Sequence, residues 1–244
     1  MNYRSKTVFI TASSSGIGFF LAEEYMNNNY KIIINGRNKK KLISASKKLG
    51  NCDYIKADMT NLKSIKKATK QIHYKYKSLD LLIANLGNSD FKKNDKNIIH
   101  ALNYNLLSTI QLIENSKKIL KKKSKIICIS SICGSEVIKG APLGYSIAKA
   151  SLNFYIKAIS KNLAKRSISI NGILPGNIMF EGSTWHKKML KDSYKVKRYI
   201  NENVPTKSFG TPKDIFRVCK MLSDNSDFIT GSLIKIDGGQ TQSI

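Results

Sequence analysis

The stretch Thr7-Val8-Phe9-Ile10-Thr11-Ala12-Ser13-Ser14-Ser15-Gly16-Ile17-Gly18 carries the fold. An apolar run rich in β-branched and aromatic residues reads as a short strand. It passes through a turn of small residues into a helical pattern over 16–28. Small side chains at such a turn let backbone N–H groups approach an anion such as a pyrophosphate at the helix N-terminus. The strict G-x-G-x-x-G spacing is absent, so the turn gains its meaning from what surrounds it.

Outward from this unit, short Ile- and Val-rich runs alternate with longer amphipathic segments. That is the pattern of βα units feeding a parallel sheet buried on both faces. Strands are predicted over 7–11, 31–35, 53–57, 81–84, 125–130, 169–174 and 232–236, with a long helix over 144–166. Right-handed crossovers then build one doubly wound α/β sheet of about seven strands, and 244 residues suit a single domain, 1–244. The rhythm breaks at 177–210, which shows no strand pattern and carries Trp185, His186, Tyr194 and Tyr199. An insertion after the sixth strand lies where it can cover the crevice at the strand ends, so it is the candidate lid.

Composition bounds the partners. The 42 Lys+Arg against 16 Asp+Glu leave a net charge of +26. Only five of the 42 are Arg, whereas groove and phosphate recognition favours the Arg fork, and Asn and Ile are abundant alongside Lys. No nucleic-acid partner is expected. The excess reads as a solvated basic surface, with Lys39-Lys40-Lys41 and Lys121-Lys122-Lys123 at helix positions, or as an attraction for acidic partners. The start has no long apolar stretch after its basic residues, and no run of about 18 apolar residues occurs anywhere. A cytoplasmic chain with no membrane partner is expected. Cys52, Cys128, Cys133 and Cys219 form no CxxC pair and no zinc set with His73, His100 and His186, so no metal is expected and the thiols read as reduced.

Three further turns bear on a nucleotide. At the end of the second strand, a carboxylate would accept the ribose 2′-OH of NAD, but positions 25–52 contain no Asp or Glu. Asn35-Gly36-Arg37-Asn38 stands there instead, and a guanidinium pairs with the 2′-phosphate of NADP. NADP(H) is therefore expected over NAD(H), with Ser15 a further phosphate donor. Asp58 can accept from the adenine amino group while Met59 packs on the ring, or Asp58 can simply turn the chain and cap a helix. Asn85 and Gly87, after the fourth strand, either stitch neighbouring strands or line the cofactor bed.

The chemistry is carried by Ser131, at the carboxyl end of the fifth strand, and by Tyr145-Ser146-Ile147-Ala148-Lys149, fourteen residues on. Helical i and i+4 positions share a face, which sets the Lys149 ammonium beside the Tyr145 phenol. A nearby cation favours the phenolate, so the Tyr145 pKa is expected to fall below its ordinary value of about 10.

With these residues in hand, the sequence resembles the short-chain dehydrogenase/reductase family over nearly its whole length. The matching pieces are Thr11 to Gly18, Asp58, Asn85 with Gly87, Asn105, Ser131, Tyr145 with Lys149, Asn171 to Gly176, Thr230-Gly231, and Asp237-Gly238-Gly239. The resemblance implies a Rossmann-like sheet and hydride transfer between a nicotinamide and a carbonyl or alcohol carbon. It implies cofactor contacts from Thr11, Ser13, Ser14, Ser15, Gly16, Ile17 and Gly18, and from the backbone around Pro175, Gly176 and Ile178 at the carboxamide. Roles carry over as follows: Tyr145 as proton donor in reduction, Lys149 tuning it and holding the ribose, Ser131 binding the substrate oxygen, and Asn105 anchoring a water in a proton relay. Asn103 competes for that last role. Two departures stand out. Ala12 replaces the usual first glycine, tolerable if its φ stays negative, and Leu86 replaces the usual alanine.

Within the family the chain looks most like bacterial 3-oxoacyl-(acyl carrier protein) reductases, which implies an acidic carrier partner and self-association as a tetramer or dimer. The length of the lid suggests the alternative of a sugar or polyol oxidoreductase in surface-polysaccharide biosynthesis, with Trp185 and His186 as substrate contacts. A non-catalytic cofactor sensor or nucleic-acid-binding protein is a remote alternative that the intact Ser131, Tyr145 and Lys149 oppose.

Overall fold

The structure, a computed structural model, describes residues 5–88, 98–224 and 227–243. Strands β1 (Thr7–Ile10), β2 (Lys31–Gly36), β3 (Asp53–Lys56), β4 (Leu79–Ala84), β5 (Leu120–Ile129), β6 (Ser169–Pro175) and β7 (Leu233–Ile236) form one sheet in the order β3-β2-β1-β4-β5-β6-β7. Every neighbouring pair is parallel. The chain winds outward from β1 to β3 and then returns to β4 and winds the other way. The crevice therefore opens at the carboxyl ends of β1 and β4.

Period-2 alternation divides the core in two. Phe9, Ile33, Leu82 and Ile126 pack with helices α3 (Leu62–Tyr76), α5 (Ser108–Ser116) and α6 (Leu143–Ala164) on one face. Val8, Ile10, Ile32, Ile34, Ile83 and Ile127 pack with α1 (Gly16–Asn27), α2 (Lys39–Lys48) and α9 (Pro212–Asp224) on the other. Helix starts follow the sequence locally: the side chains of Asn38 and Asn61 cap α2 and α3 by accepting from Lys41 N and Ser64 N. Between α4 (Ile98–Leu102) and α5 the chain makes a π-helical turn, Asn103–Leu107.

One expectation is corrected. Lys121, Lys122 and Lys123 lie in β5 and not on a helix, because buried Leu120 already pairs with Leu79 and draws the chain into the sheet. The register shifts between Leu79 and Leu81, and Lys123 takes a left-handed φ of +67°. The insertion between Gly176 and Gly210 contains α7 (Thr184–Lys191) and α8 (Ser193–Asn203), with one isolated bridge from Ile178 to Gly210. Among the described residues no helix is long and apolar enough to cross a membrane, and no group of three or more His, Cys, Asp and Glu is arranged to hold a metal ion.

Candidate active site

The turn after β1 is braced by polar side chains. Asn85 donates from Nδ2 to the carbonyls of Thr11 (3.2 Å) and Ala12 (3.3 Å), and its N–H donates to Thr11 Oγ1 (3.0 Å). Asn85 thus stitches β4 to the turn. The Ser13 hydroxyl is committed twice, donating to Ile10 O (2.7 Å) and accepting from Asn35 N (2.9 Å). Asn35, which sequence reasoning passed over, accepts from Ala12 N and donates to the carbonyls of Ile55 and Ala57. It joins the ends of three strands, and its signal was a polar residue inside an otherwise apolar strand.

Close approach explains the small residues. A Cβ at Gly18 would stand 2.6 Å from Asn85 Nδ2 and 2.7 Å from Ala12 O, so α1 packs on the turn only with glycine there. Gly16 has φ +61°. Ser14 lies against Gly36, Ser15 is the first flanking residue of α1 in extended conformation, and half-buried Ile17 packs on the core. Ala12 corrects an expectation: its φ is +50°, in the left-handed region that costs an L-residue about 1–2 kcal/mol. The ladder of bonds on both its peptide groups over-determines that conformation.

At the end of β2, Arg37 is exposed, with its guanidinium 5.9 Å from the Tyr104 ring centroid. Asp58 accepts at Oδ1 from the N–H (2.9 Å) and hydroxyl (2.7 Å) of Thr60. Burial opposes its charge, but these bonds and the Arg37 guanidinium prevail and lower its pKa. Met59 is 2% exposed and its side chain is part of the core, so it does not pack on an adenine ring as expected.

Ser131, Tyr145 and Lys149 converge at the carboxyl edge of β5. Ser131 flanks a 3-10 turn, Ile132–Gly134, and its Oγ accepts from Cys133 N at 3.2 Å. Its hydroxyl is near enough to the Tyr145 phenol to act on its titration. A Cβ at Gly134 would stand 2.5 Å from the carbonyl carbon of Lys149, so this glycine lets α6 seat against the turn. Lys149 is 1% exposed, donates to Ile129 O (2.8 Å) and lies 5.7 Å from the Tyr145 ring centroid. Burial, opposed by the thiols of Cys128 and Cys133, lowers its pKa to about 8. The expected depression of the Tyr145 phenol is absent: burial first, then the Cys133 thiol, push it up, and the Ser131 hydroxyl offsets this only in part. At neutral pH the phenol keeps its proton.

Asn105 sits in the π-helical turn, fully buried. Its Oδ1 accepts from Asn88 N (2.8 Å), and its Nδ2 donates to the carbonyls of Asn88 and Ala101 (3.1 Å each). Gly87 leaves a gap here, since a Cβ would lie 3.4 Å from Lys149 Nζ and 3.6 Å from Asn105 Oδ1. The floor of the crevice thus runs from the Gly18 turn past Gly87 to Lys149. An elongated, phosphate-bearing group fits that donor set: backbone N–H groups at one end, an ammonium at the other.

A family profile described as Enoyl-(Acyl carrier protein) reductase matches residues 11–241. The 3-oxoacyl-[acyl-carrier-protein] reductase of Rickettsia prowazekii is 32% identical over 245 residues, covering 96% of each chain. The chain belongs to the short-chain dehydrogenase/reductase family. The reductase of the same name from Aquifex aeolicus is 28% identical over 97% of each chain. Among solved structures, the RhlG/NADP complex of Pseudomonas aeruginosa superposes with a TM-score of 0.87 at 21% identity, covering 96% of this chain and 95% of that one. L-sorbose reductase from Gluconobacter frateurii, complexed with NADPH and L-sorbose, gives 0.87 at 21%, covering 98% of each.

In this short-chain dehydrogenase/reductase, the loop after β6 is fixed to the C-terminal turn. Gly176 N donates to Ile236 O (2.9 Å), and a Cβ at Gly176 would meet Asp237 at 2.9 Å. Pro175 and Ile178 are buried. Phe180 is a residue that sequence reasoning did not single out: its ring sits over Gly16, 3.1 Å from where a Cβ would be, and brings the insertion onto the first turn. Trp185 packs within the insertion, 5.1 Å from the Tyr199 ring and 5.5 Å from Phe209, with the Lys188 ammonium over its face. His186 Nδ1 accepts from Gly182 N (3.3 Å), closing a turn at the start of α7.

Proposed function

We propose that this oxidoreductase reduces the 3-oxo group of acyl thioesters with NADP(H), the acyl group being carried by an acidic acyl carrier protein. The observation that carries the reading is the convergence of Ser131, Tyr145 and Lys149 beside the Gly87 gap at the carboxyl edge of the sheet. The nicotinamide supplies or accepts the hydride. The protein supplies orientation and the proton. Tyr145, kept protonated by its burial, donates to the substrate oxygen in reduction, and the Ser131 hydroxyl bonds that same oxygen. Lys149, whose proton is loosened by burial, holds the ribose hydroxyls and returns a proton to the phenol. Both amide N–H groups of Asn105 are spent and its Oδ1 already accepts from Asn88 N, so its part in the relay is assigned to its main-chain carbonyl in the π-helical turn.

Preference for NADP over NAD rests on Arg37, exposed at the end of β2, and on the lack of a carboxylate from 25 to 52. Thr11, Ser14, Ser15, Gly16, Ile17 and Gly18 present the phosphate turn, with Ser13 and Asn85 bracing it from within. Carrier docking is supported by the +26 charge, which raises encounter rates with an acidic protein at low salt. The names of the relatives from Rickettsia and Aquifex support the substrate class. The experiment is NADPH oxidation on an acetoacetyl thioester with wild type and Tyr145→Phe. Turnover lost in the variant, with NADPH binding intact, is the expected result; retained turnover refutes the proton donor.

A further inference from the structure

At the edge of the sheet opposite the catalytic crevice, the amino ends of β1, β4 and β5 and the C-terminal end of α9 border a second hollow of about 580 Å³. That volume is within the range of small-ligand sites. Five lysines line it, Lys6, Lys121, Lys122, Lys123 and Lys125, together with the carboxylates of Asp80, Asp224 and Asp227.

The backbone gathers these lysines. A regular strand sends consecutive side chains to opposite faces, so Lys122 would turn away from Lys121 and Lys123. Here Leu79 pairs with Leu120 and Leu81 with Lys125, so residues 121–124 of β5 bulge opposite Asp80 alone. Within the bulge Lys123 takes a left-handed φ of +67°, unfavourable for a residue with a Cβ, and its N–H donates to Ser167 O (2.7 Å). The alternation is lost, and all three lysines line the hollow.

The carboxylates are already engaged. Asp80 pairs with Lys121 and accepts from Thr7 N (2.9 Å), and Asp227 pairs with Lys125, which is buried. Asp224 pairs with Lys220 and, at 3.6 Å, with Lys6, and accepts from the Tyr30 hydroxyl. Each negative charge thus has a cation of its own, and two lysines are left over. Among the described residues, no carboxylate lies within ion-pair distance of Lys122 or Lys123. Two surplus ammonium groups on one hollow suit an anion with more than one charged group, and lysine bonds phosphate oxygens as a point charge.

We propose that this hollow is a second anion site, separate from the catalytic crevice, which takes a small molecule bearing linked phosphate groups and holds it chiefly by Lys122 and Lys123.

The test is calorimetric titration of the full chain with inorganic diphosphate. Wild type is expected to bind it with a dissociation constant below about 1 mM, weakening as ionic strength rises. In Lys122→Gln/Lys123→Asn this affinity falls about tenfold, each lysine contributing a charge-assisted bond, and asparagine tolerates the left-handed φ at 123. Both side chains are exposed, so the urea midpoint is expected not to fall. Lys122→Gln alone, weakened about threefold, carries the same test with the backbone at 123 untouched. Lys66→Gln/Lys67→Gln removes as much charge from exposed positions of α3 and leaves the affinity unchanged. Diphosphate bound in the crevice would survive both double substitutions, so only an event weakened in the first counts for the hollow. Equal weakening in both, which the diffuse field of a chain with a net charge of +26 would give, overturns the proposal. So does an unchanged affinity in the first, or no wild-type binding below about 1 mM. ADP, titrated in parallel, separates two sources of linked phosphates. Binding tighter than that of diphosphate and weakened by the same variant supports the site with a nucleotide as occupant, and equal or weaker binding supports it with the inorganic ion.

Discussion

Lys149→Met removes a charge that the fold holds against its burial. Lys149 is 1% exposed and its pKa falls to about 8 from the ordinary 10.5, with burial as the first cause. The unfolded chain therefore binds this proton up to about pH 10.5, while the folded chain gives it up near 8. Near pH 7 the mismatch of about 2.5 pKa units costs the folded state about 3 kcal/mol. Stability rises as pH climbs through the window from 8 to 10.5, and by about pH 9.5 the cost has shrunk to about 1 kcal/mol. Methionine fills nearly the same volume without charge, but strands the Ile129 carbonyl that Lys149 now bonds, a loss of about 1 kcal/mol. The variant should therefore be about 2 kcal/mol more stable than wild type near pH 7 and nearly equal to it at about pH 9.5. Urea unfolding of both proteins at the two pH values measures this, with turnover assayed alongside and expected to vanish. A variant less stable than wild type near pH 7, or an advantage that does not shrink with rising pH, would refute the reasoning.

Three other substitutions test separate parts of the site. Ala12→Gly relieves a left-handed φ of +50°, and after the entropy that glycine adds to the unfolded chain the net gain should be about 1 kcal/mol; a lowered urea midpoint would contradict the strain at this turn. Gly134→Ala places a Cβ 2.5 Å from the Lys149 carbonyl carbon, so α6 must move off the catalytic turn; stability should drop by about 1–3 kcal/mol with most of the turnover, and a wild-type-like variant would show that the packing is looser than described. Arg37→Ala should weaken NADPH about 10- to 100-fold, the size of a charge-assisted bond to the 2′-phosphate, and leave NADH unaffected. Equal loss for both cofactors in a titration would remove Arg37 as the discriminating group.

Much of the architecture was readable along the chain, because alternating apolar runs and amphipathic helices are local patterns. The Tyr145–Lys149 pair was readable for the same reason, since i and i+4 share a helix face wherever the helix lies. Lys121 to Lys123 were misplaced because charge alone does not tell an exposed helix from the ragged start of a strand. The choice between strand and helix was made by Leu120 finding Leu79, more than forty residues away.

The site divides along the same line. Residue types and chain order determined that a small-residue turn, an Arg-ended second strand and a Ser–Tyr–Lys set stand at the carboxyl edge of one parallel sheet. Only the tertiary structure decided what each polar group is free to do. Asn85, Ser13 and Asn35 spend their hydrogen bonds bracing the turn after β1, and Met59 turns into the core. Trp185 packs against Tyr199, and Gln240 holds that phenol from the far end of the chain. Whether a donor is spent or available, and whether burial raises or lowers its pKa, depends on which distant segments meet it, and no local pattern records that.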